Sequence, residues 1–246
     1  MPWRARRTPY RVFVSEIMLQ QTSVPRVMSR YAEFIRAFPS FKRLATATVQ
    51  EVIQAWKGLG YNRRALALRE SARRVTSVHH GRLPRTVENL VQLPGVGHAT
   101  AAAVIVYTFN VPIPFIETNI RRVFIHTYFK DQENVPDAVI APLVEHTMDR
   151  KNPREWYYAL MDYGTALAAG RQNANRRSSR YRVQSKFEGS LRQLRGRLLS
   201  VIMEQGSATR RQIKAALGAD PRVDAALRQL EKEGFLRAGA GRYTFK

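Results

Sequence analysis

Glu16 is the first residue of the chain whose setting calls for chemistry. It sits in PYRVFVSEIMLQQT (residues 9–22), among Val12, Phe13, Val14, Ile17, Met18 and Leu19. Apolar residues cover most of the circumference of a helix over about Tyr10–Leu19, so that helix is expected to be buried. A carboxylate in such a helix is costly unless it is paired or used. Apolar neighbours raise its pKa towards values at which it can hand over a proton near neutrality. Two readings follow: a proton donor to a substrate, or a buried glutamate bonded to a helix end.

The second chemical feature is made of backbone. In VQLPGVGHATAAAVIVY (91–107), Leu93-Pro94-Gly95-Val96-Gly97 forms a tight turn between two helical patterns, and a helix follows from about His98 to Tyr107. The two glycines permit positive φ and close approach of another backbone. The turn therefore ends in N–H groups pointing out of a helix start, a ready anion site, for which DNA phosphate is the obvious occupant. An ordinary helix-to-helix turn is the plainer alternative.

Bulk charge favours the phosphate. The 246 residues include 41 Lys and Arg against 19 Asp and Glu, a net charge of +22. An excess on this scale points to a polyanion. No apolar run approaches the length of a membrane span, and the arginine-rich start MPWRARRTPYRV lacks the apolar core of a signal peptide. An intracellular protein, in cytoplasm or nucleoid, is expected. There is no cysteine, which excludes disulfides and any thiolate-held zinc or iron–sulfur centre. The five histidines show no metal-ligand spacing, and no metal ligand is expected among them.

These groups need elements to hold them. Pro9 suits the first turn of the Glu16 helix. Helices are expected over about Val24–Phe38, from the Thr48-x-x-Glu51 capping box to Trp56, and from Tyr61 to about Val78. After the hairpin helix, FIETN (115–119) leads into another, and two more cover about Asp137–Met148 and Arg154–Ala169. Everything to residue 170 reads as helix with short connections. Residues 171–186, RQNANRRSSRYRVQSK, hold six basic residues and no acid. They read as a basic linker, either a solvated tether or an arm lying on phosphate. Over residues 187–246, three helices and then a hairpin around Gly239-Ala240-Gly241 resemble a winged helix-turn-helix, with Asp220-Pro221 as cap and first turn of the third helix. By analogy such a module contacts DNA through its third helix, although it can also dock proteins.

Read together, PYRVFVSEIMLQQT (9–22), GLGYNRRALAL (58–68), LPGVGHATAAAV (93–104), ETNIRRV (117–123) and MDYGTALAA (161–169) come in the order of the endonuclease III superfamily. They most resemble the MutY-type adenine DNA glycosylases, which remove adenine mispaired with 8-oxoguanine or guanine. The resemblance covers about residues 2–170. It implies an all-α, two-lobed fold with DNA across the cleft, here with a winged-helix-like module appended. It also implies that Glu16 is the general acid that protonates the leaving adenine. Glu117 falls where the family carries aspartate, the carboxylate that stabilises the cationic sugar; its plainer role is a helix N-terminal acid facing the dipole. Asn119 matches the asparagine that holds that acid and the sugar.

The resemblance also assigns DNA contacts. Gln20 and Gln21 match a loop that probes the opened duplex. Tyr61 and Asn62 match a Tyr-Tyr pair, one of which wedges into the stack; ordinary packing of Tyr61 is the alternative. Leu93, Gly95, Val96, Gly97, His98 and Ala99 form the hairpin contact, whose Leu93 and Val96 carbonyls are suited to a monovalent ion. Ala99 stands where lyase-competent relatives carry the Schiff-base lysine, so a monofunctional enzyme leaving an abasic site is expected. The substrate would be mismatched duplex DNA and the protein a monomer. The chain departs from the family in two places. The four cysteines of an iron–sulfur cluster, the first due at Ala168, are absent, and the basic arm, with Arg176 and Arg177, is expected to take over DNA contact there. The usual 8-oxoguanine-reading domain is also replaced. Excision of thymine or uracil opposite guanine, or DNA binding without catalysis, are the rival readings.

Overall fold

A computed structural model describes residues 1–170, 173–218 and 220–246. Pro2 opens a single turn, α1 (Pro2–Ala5), whose Trp3 packs edge-on against Tyr31. The Thr8 hydroxyl accepts from the Arg11 N–H and, with Pro9, starts α2 (Pro9–Leu19). There follow α3 (Val24–Ala37), α4 (Phe41–Thr46), α5 (Val49–Ala55), α6 (Arg63–Ser77), α7 (Val87–Leu90), α8 (His98–Phe109), α9 (Thr118–Tyr128), α10 (Asp137–Thr147) and α11 (Pro153–Ala169). The expected capping box forms before α5: Thr48 accepts from the Glu51 N–H and Glu51 accepts from the Thr48 N–H. Two helices, α1 and α4, go beyond the sequence reading. At four and six residues they are too short to display a helical period.

The apolar circumference of α8 has a structural cause: the helix separates two cores. Ala101, Val104 and Ile105 pack into a cluster with Phe13, Ile17, Phe34, Trp56 and Leu68. Ala102, Val106 and Tyr107 pack into another with Phe115, Ile120, Phe124, Val144 and Tyr157. Two helical lobes result, sharing α8 as their common wall. Each fully buried Phe, Leu or Ile in these clusters contributes roughly 1.5–3 kcal/mol.

The C-terminal residues form α12 (Leu191–Gln205), β1 (Ala208–Thr209), α13 (Arg210–Leu217), α14 (Val223–Lys232), β2 (Leu236–Gly239) and β3 (Arg242–Phe245). The sheet order is β1-β3-β2, all antiparallel, with Leu236 opposite Phe245 and Gly239 opposite Arg242. Ala240 (φ 48°) and Gly241 (φ 72°) make the two-residue turn, whose paired positive φ suits the strand twist. This is the topology of a winged helix, and its core, including Leu198, Leu227 and Phe235, runs on into the larger core of the first lobe. The third helix starts later than expected. The Asp220 carboxylate accepts from the Arg222 N–H at 2.9 Å and pairs with its guanidinium, holding residues 220–222 in a turn, so α14 begins at Val223.

The basic linker differs most from expectation. Arg171 lies outside the described residues. Residues 174–177 form a 3-10 turn, and Ala174, Asn175 and Ser178 are buried. Val135 donates to the Arg177 carbonyl at 2.7 Å and Ser179 donates to the Val135 carbonyl at 3.0 Å. This stretch is packed against α9 and its following loop because its short polar side chains reach backbone groups there.

Candidate active site

Glu16 lies in the middle of α2, on the side turned towards the shared wall α8. Its carboxyl sits deep but keeps partial solvent exposure, as at the floor of a crevice, and it has no hydrogen-bond partner among the described residues. Burial, followed by the neighbouring Glu117 charge, pushes its pKa up to about 8, while Arg4 pulls the other way. The walls are aromatic. Tyr107 stacks on Tyr158 with centroids 4.8 Å apart and planes at 10°. Burial, with the charges of Glu16 and Glu117 adding to it, holds the Tyr107 phenol well above its ordinary value. Arg4 closes one side: its guanidinium lies 4.2 Å over the Tyr158 ring and makes a two-pronged pair with Asp162 at 2.7 and 2.9 Å. The short helix α1 therefore brings a fixed cation to the crevice.

Glu117 is the N-cap of α9. Its Oε1 accepts from the Asn119 N–H at 2.5 Å and the Ile120 N–H at 2.9 Å. The extra methylene relative to an aspartate is taken up by folding one oxygen back onto the helix start. Oε2 has no hydrogen-bond partner among the described residues. Burial raises the Glu117 pKa, opposed by the two backbone N–H groups and by Arg121 and Arg122. Of the two acids, Glu117 is the better supported as an anion and Glu16 as a neutral carboxyl. The Asn119 Oδ1 accepts from Arg122 at 2.6 Å, and Arg122, only 8% exposed, also donates to the Gly164 carbonyl at 2.7 Å. A Cβ on Gly164 would lie 2.5 Å from the Asn119 carbonyl oxygen, so a side chain there is excluded by the approach of α11 to α9.

The hairpin is built as its sequence suggests, with one refinement. Gly95 has φ +77° and meets Ala67, whereas Gly97 is extended and is the N-cap of α8. Gly95, Gly97, His98 and Ala99 are exposed, but Leu93 and Val96 are buried, and the Leu93 carbonyl accepts from the Val96 N–H at 3.2 Å. Gln20 bridges to the hairpin, donating to the Gly95 carbonyl at 3.0 Å and the Thr100 hydroxyl at 3.1 Å. Gln21 (φ +53°) and Tyr61 (φ +46°) hold strained backbone conformations. Gln21 is exposed, and Tyr61 and Asn62 are half-buried.

Arg64 organises these loops and escaped the sequence reading, because cationic side chains in helix starts are common. Its guanidinium donates to the carbonyls of Ile17, Met18 and Gln20 at the end of α2, and to those of Leu59 and Gly60. Burial brings its pKa down to about 10.

Arg176 is exposed, whereas Arg177 faces inward, donating to the Lys130 carbonyl and, at 3.4 Å, to the Ile125 carbonyl at the end of α9. The expected DNA contact through the Arg177 side chain is therefore replaced by a helix C-terminal bond. Asn175 donates to the Thr118 carbonyl at 2.9 Å, and Asn173 accepts from Arg122 at 3.2 Å. The cluster implied by the resemblance has nothing to hold it: Ala168 stands at the first position, the chain contains no cysteine, and among the described residues no three His, Asp or Glu side chains converge.

Known proteins resemble this chain in sequence and in fold. Residues 14–146 match the HhH-GPD superfamily of base excision DNA repair proteins. An adenine DNA glycosylase of Mycolicibacterium smegmatis is 32% identical over 99% of this chain and 90% of its own length. One from Mycobacterium tuberculosis is 33% identical over 82% and 73%. An adenine DNA glycosylase of Buchnera aphidicola is 32% identical over 68% of this chain, which spans about half (48%) of that relative. Among solved structures, a thermostable thymine-DNA glycosylase superposes with TM-score 0.62 at 28% identity, covering 71% of this chain and 82% of the other. A trapped endonuclease III–DNA covalent intermediate superposes with TM-score 0.59 at 17% identity, over 68% and 78%, a likeness of fold.

Proposed function

Since the chain belongs to the HhH-GPD superfamily of base excision DNA repair proteins, we propose that it is a monofunctional DNA glycosylase. In this reading it hydrolyses the N-glycosidic bond of an adenine, mispaired with guanine or 8-oxoguanine and flipped out of the duplex. What supports the reading is the closeness of two acids from distant points of the chain: the Glu117 charge raises the Glu16 pKa, and both charges act on Tyr107, which stacks on Tyr158. The relatives' names supply the adenine.

Glu16 gives its proton to a ring nitrogen of the bound base. The C1′–N bond breaks, its electron pair leaves with the base, and the sugar carries the positive charge. The Glu117 carboxylate, oriented by the start of α9 and by Asn119, stabilises that cation. Water adds to C1′ and returns a proton to Glu16, so free base and an abasic site result. Ala99 has no amine to form a Schiff base, so strand cleavage is not part of the cycle.

The exposed hairpin backbone from Gly95 to Ala99 binds phosphate, and Gln20, Gln21, Tyr61 and Asn62 enter the opened duplex. The backbone carbonyls of Leu93 and Val96 suit a monovalent cation, whose charge would support the phosphate. Residues 1–170 act as the glycosylase unit and 187–246 as the winged-helix-like unit, joined by 171–186. The protein works as a monomer on cellular DNA.

Labelled duplexes carrying A, T or U opposite G or 8-oxoguanine, followed by hot alkali, test this. Alkali-dependent cleavage at A supports it. Cleavage at T or U alone would favour the second reading, for which the likeness to a thymine-DNA glycosylase speaks. Tight binding without cleavage would leave a DNA reader.

A further inference from the structure

A winged helix ordinarily places the second helix of its helix-turn-helix pair, here α14, in the major groove. The charges of this chain are arranged differently. Within α14, Arg228 and Lys232 are matched by Asp224 and Glu231, so the helix carries no net charge. Asp224 is engaged by Arg210 and by Lys214 at 3.3 Å, so two of the three cations of α13 share that one acid, and Arg211 stays exposed. In the wing, Arg242 donates to the Ser207 hydroxyl at 2.9 Å and to its carbonyl at 3.1 Å. A helix whose cations are matched by acids, as in α14, has little pull on phosphate.

The first helix is different. α12 carries Arg192, Arg195 and Arg197 against Glu204 alone, and all four line a cleft of about 1,730 Å³. The opposite wall of this cleft is the pair of loops that the glycosylase reading sends into the opened duplex, with Gln20, Gln21 and Tyr61, and with Thr100 at the start of the hairpin helix. The space exceeds the roughly 300–1,000 Å³ typical of small-ligand pockets, as a polymer requires. α12 is fixed to that wall. Arg192 donates to the Tyr61 hydroxyl at 2.8 Å, and Glu233 bridges Arg63 and Arg195. Arg26, Lys57 and Arg197, all exposed and from both walls, form no ion pair among the described residues. At the rim stands Phe187, 60% exposed, an aromatic face available for stacking on a base or sugar.

We propose that the winged-helix-like unit meets DNA through α12, not α14, and that this cleft receives the duplex next to the flipped nucleotide, with Arg197 and Lys57 on its phosphates. The proposal rests on the glycosylase reading for the identity of the polyanion. It gives the C-terminal unit a role as one jaw of the DNA clamp.

The test measures DNA affinity against salt concentration with full-length Glu16→Gln protein, which binds without cutting, and a mismatched duplex of about 25 base pairs. Arg197→Glu and Lys57→Glu are exposed changes, and thermal unfolding verifies that each folds. Each lost phosphate contact should flatten the slope of log K against log salt by about 0.9. Phe187→Ala should weaken binding about tenfold. A double Arg228→Glu, Lys232→Glu variant on α14 should leave slope and affinity unchanged. Loss of binding through the α14 variant, with Arg197→Glu and Lys57→Glu indistinguishable from the parent, would overturn the proposal and leave the glycosylase reading intact. A parent that binds no duplex would remove both.

Discussion

Replacing Glu16 by glutamine should stabilise the protein while abolishing base excision, and the stabilisation should depend on pH in one direction only. Glutamine keeps the shape of the side chain and stays neutral. In the parent, the Glu16 carboxyl moves from an ordinary 4.5 to about 8 on folding. Between those values the native state holds a proton that the unfolded chain releases. Native protein then binds more protons than unfolded protein, so stability falls as pH rises through this window and levels off above about 8. At about 1.4 kcal/mol per pKa unit, the full shift corresponds to an upper bound of about 5 kcal/mol. Solvent reaching the crevice floor screens part of this, leaving on the order of 3 kcal/mol. For a chain of this size that is roughly 6–12 °C in Tm. The assay is thermal or urea unfolding of parent and Glu16→Gln at pH 4.5, 6, 7 and 8.5. The two should coincide near pH 4.5 and diverge to the full difference at 8.5, because groups that do not feel the Glu16 charge titrate alike in both and cancel. In the parent, single-turnover excision should fall tenfold per unit above about pH 8, as expected for a required acid, and fall again in acid where Glu117 takes up a proton. Stability curves that run parallel at all four pH values would refute the argument that burial and Glu117 hold a proton on Glu16.

Three other substitutions probe the frame around the acids. Gly164→Ala places a methyl 2.5 Å from the Asn119 carbonyl oxygen; forcing α11 from α9 should cost about 1–3 kcal/mol by denaturant unfolding and slow excision more than it weakens DNA binding. Asn175→Ala removes the bond to the Thr118 carbonyl just before Asn119 and should cost about 1–3 kcal/mol, read as a lower urea midpoint with an unchanged slope. Ala99→Lys puts an amine on the exposed start of α8; borohydride trapping of a protein–DNA adduct, absent in the parent, is the expected result.

What the sequence displayed was mostly local. Pro9 suits a first turn and Thr48 bonds only three residues ahead, so their helices could be placed from local residues alone. Glu16 was legible because an acid among apolar neighbours is conspicuous, and the hairpin because its two glycines lie within one five-residue turn. The remaining side chains around Glu16 were not legible. Arg4 reaches Asp162 across 158 positions of sequence, and nothing in the local pattern of either residue marks a partner. Arg64 looked like one arginine among many in a helix start; only the convergence of the α2 end with the Leu59-Gly60 turn shows what it holds. The basic stretch after residue 171 misled for a related reason. Its composition suggested a solvent-facing arm, but its conformation is set by Asn173, Asn175 and Arg177 finding backbone and side-chain partners on α9 and the loop that follows it.

That fastening has a physiological consequence. The join between the end of α11 and the start of α9 is made from amides and guanidinium groups supplied by the chain itself. With no thiol anywhere in the sequence, it offers peroxide no sulfur ligand to strip. Under peroxide this join should therefore keep its hydrogen bonds where a thiolate-held one would lose its ligands.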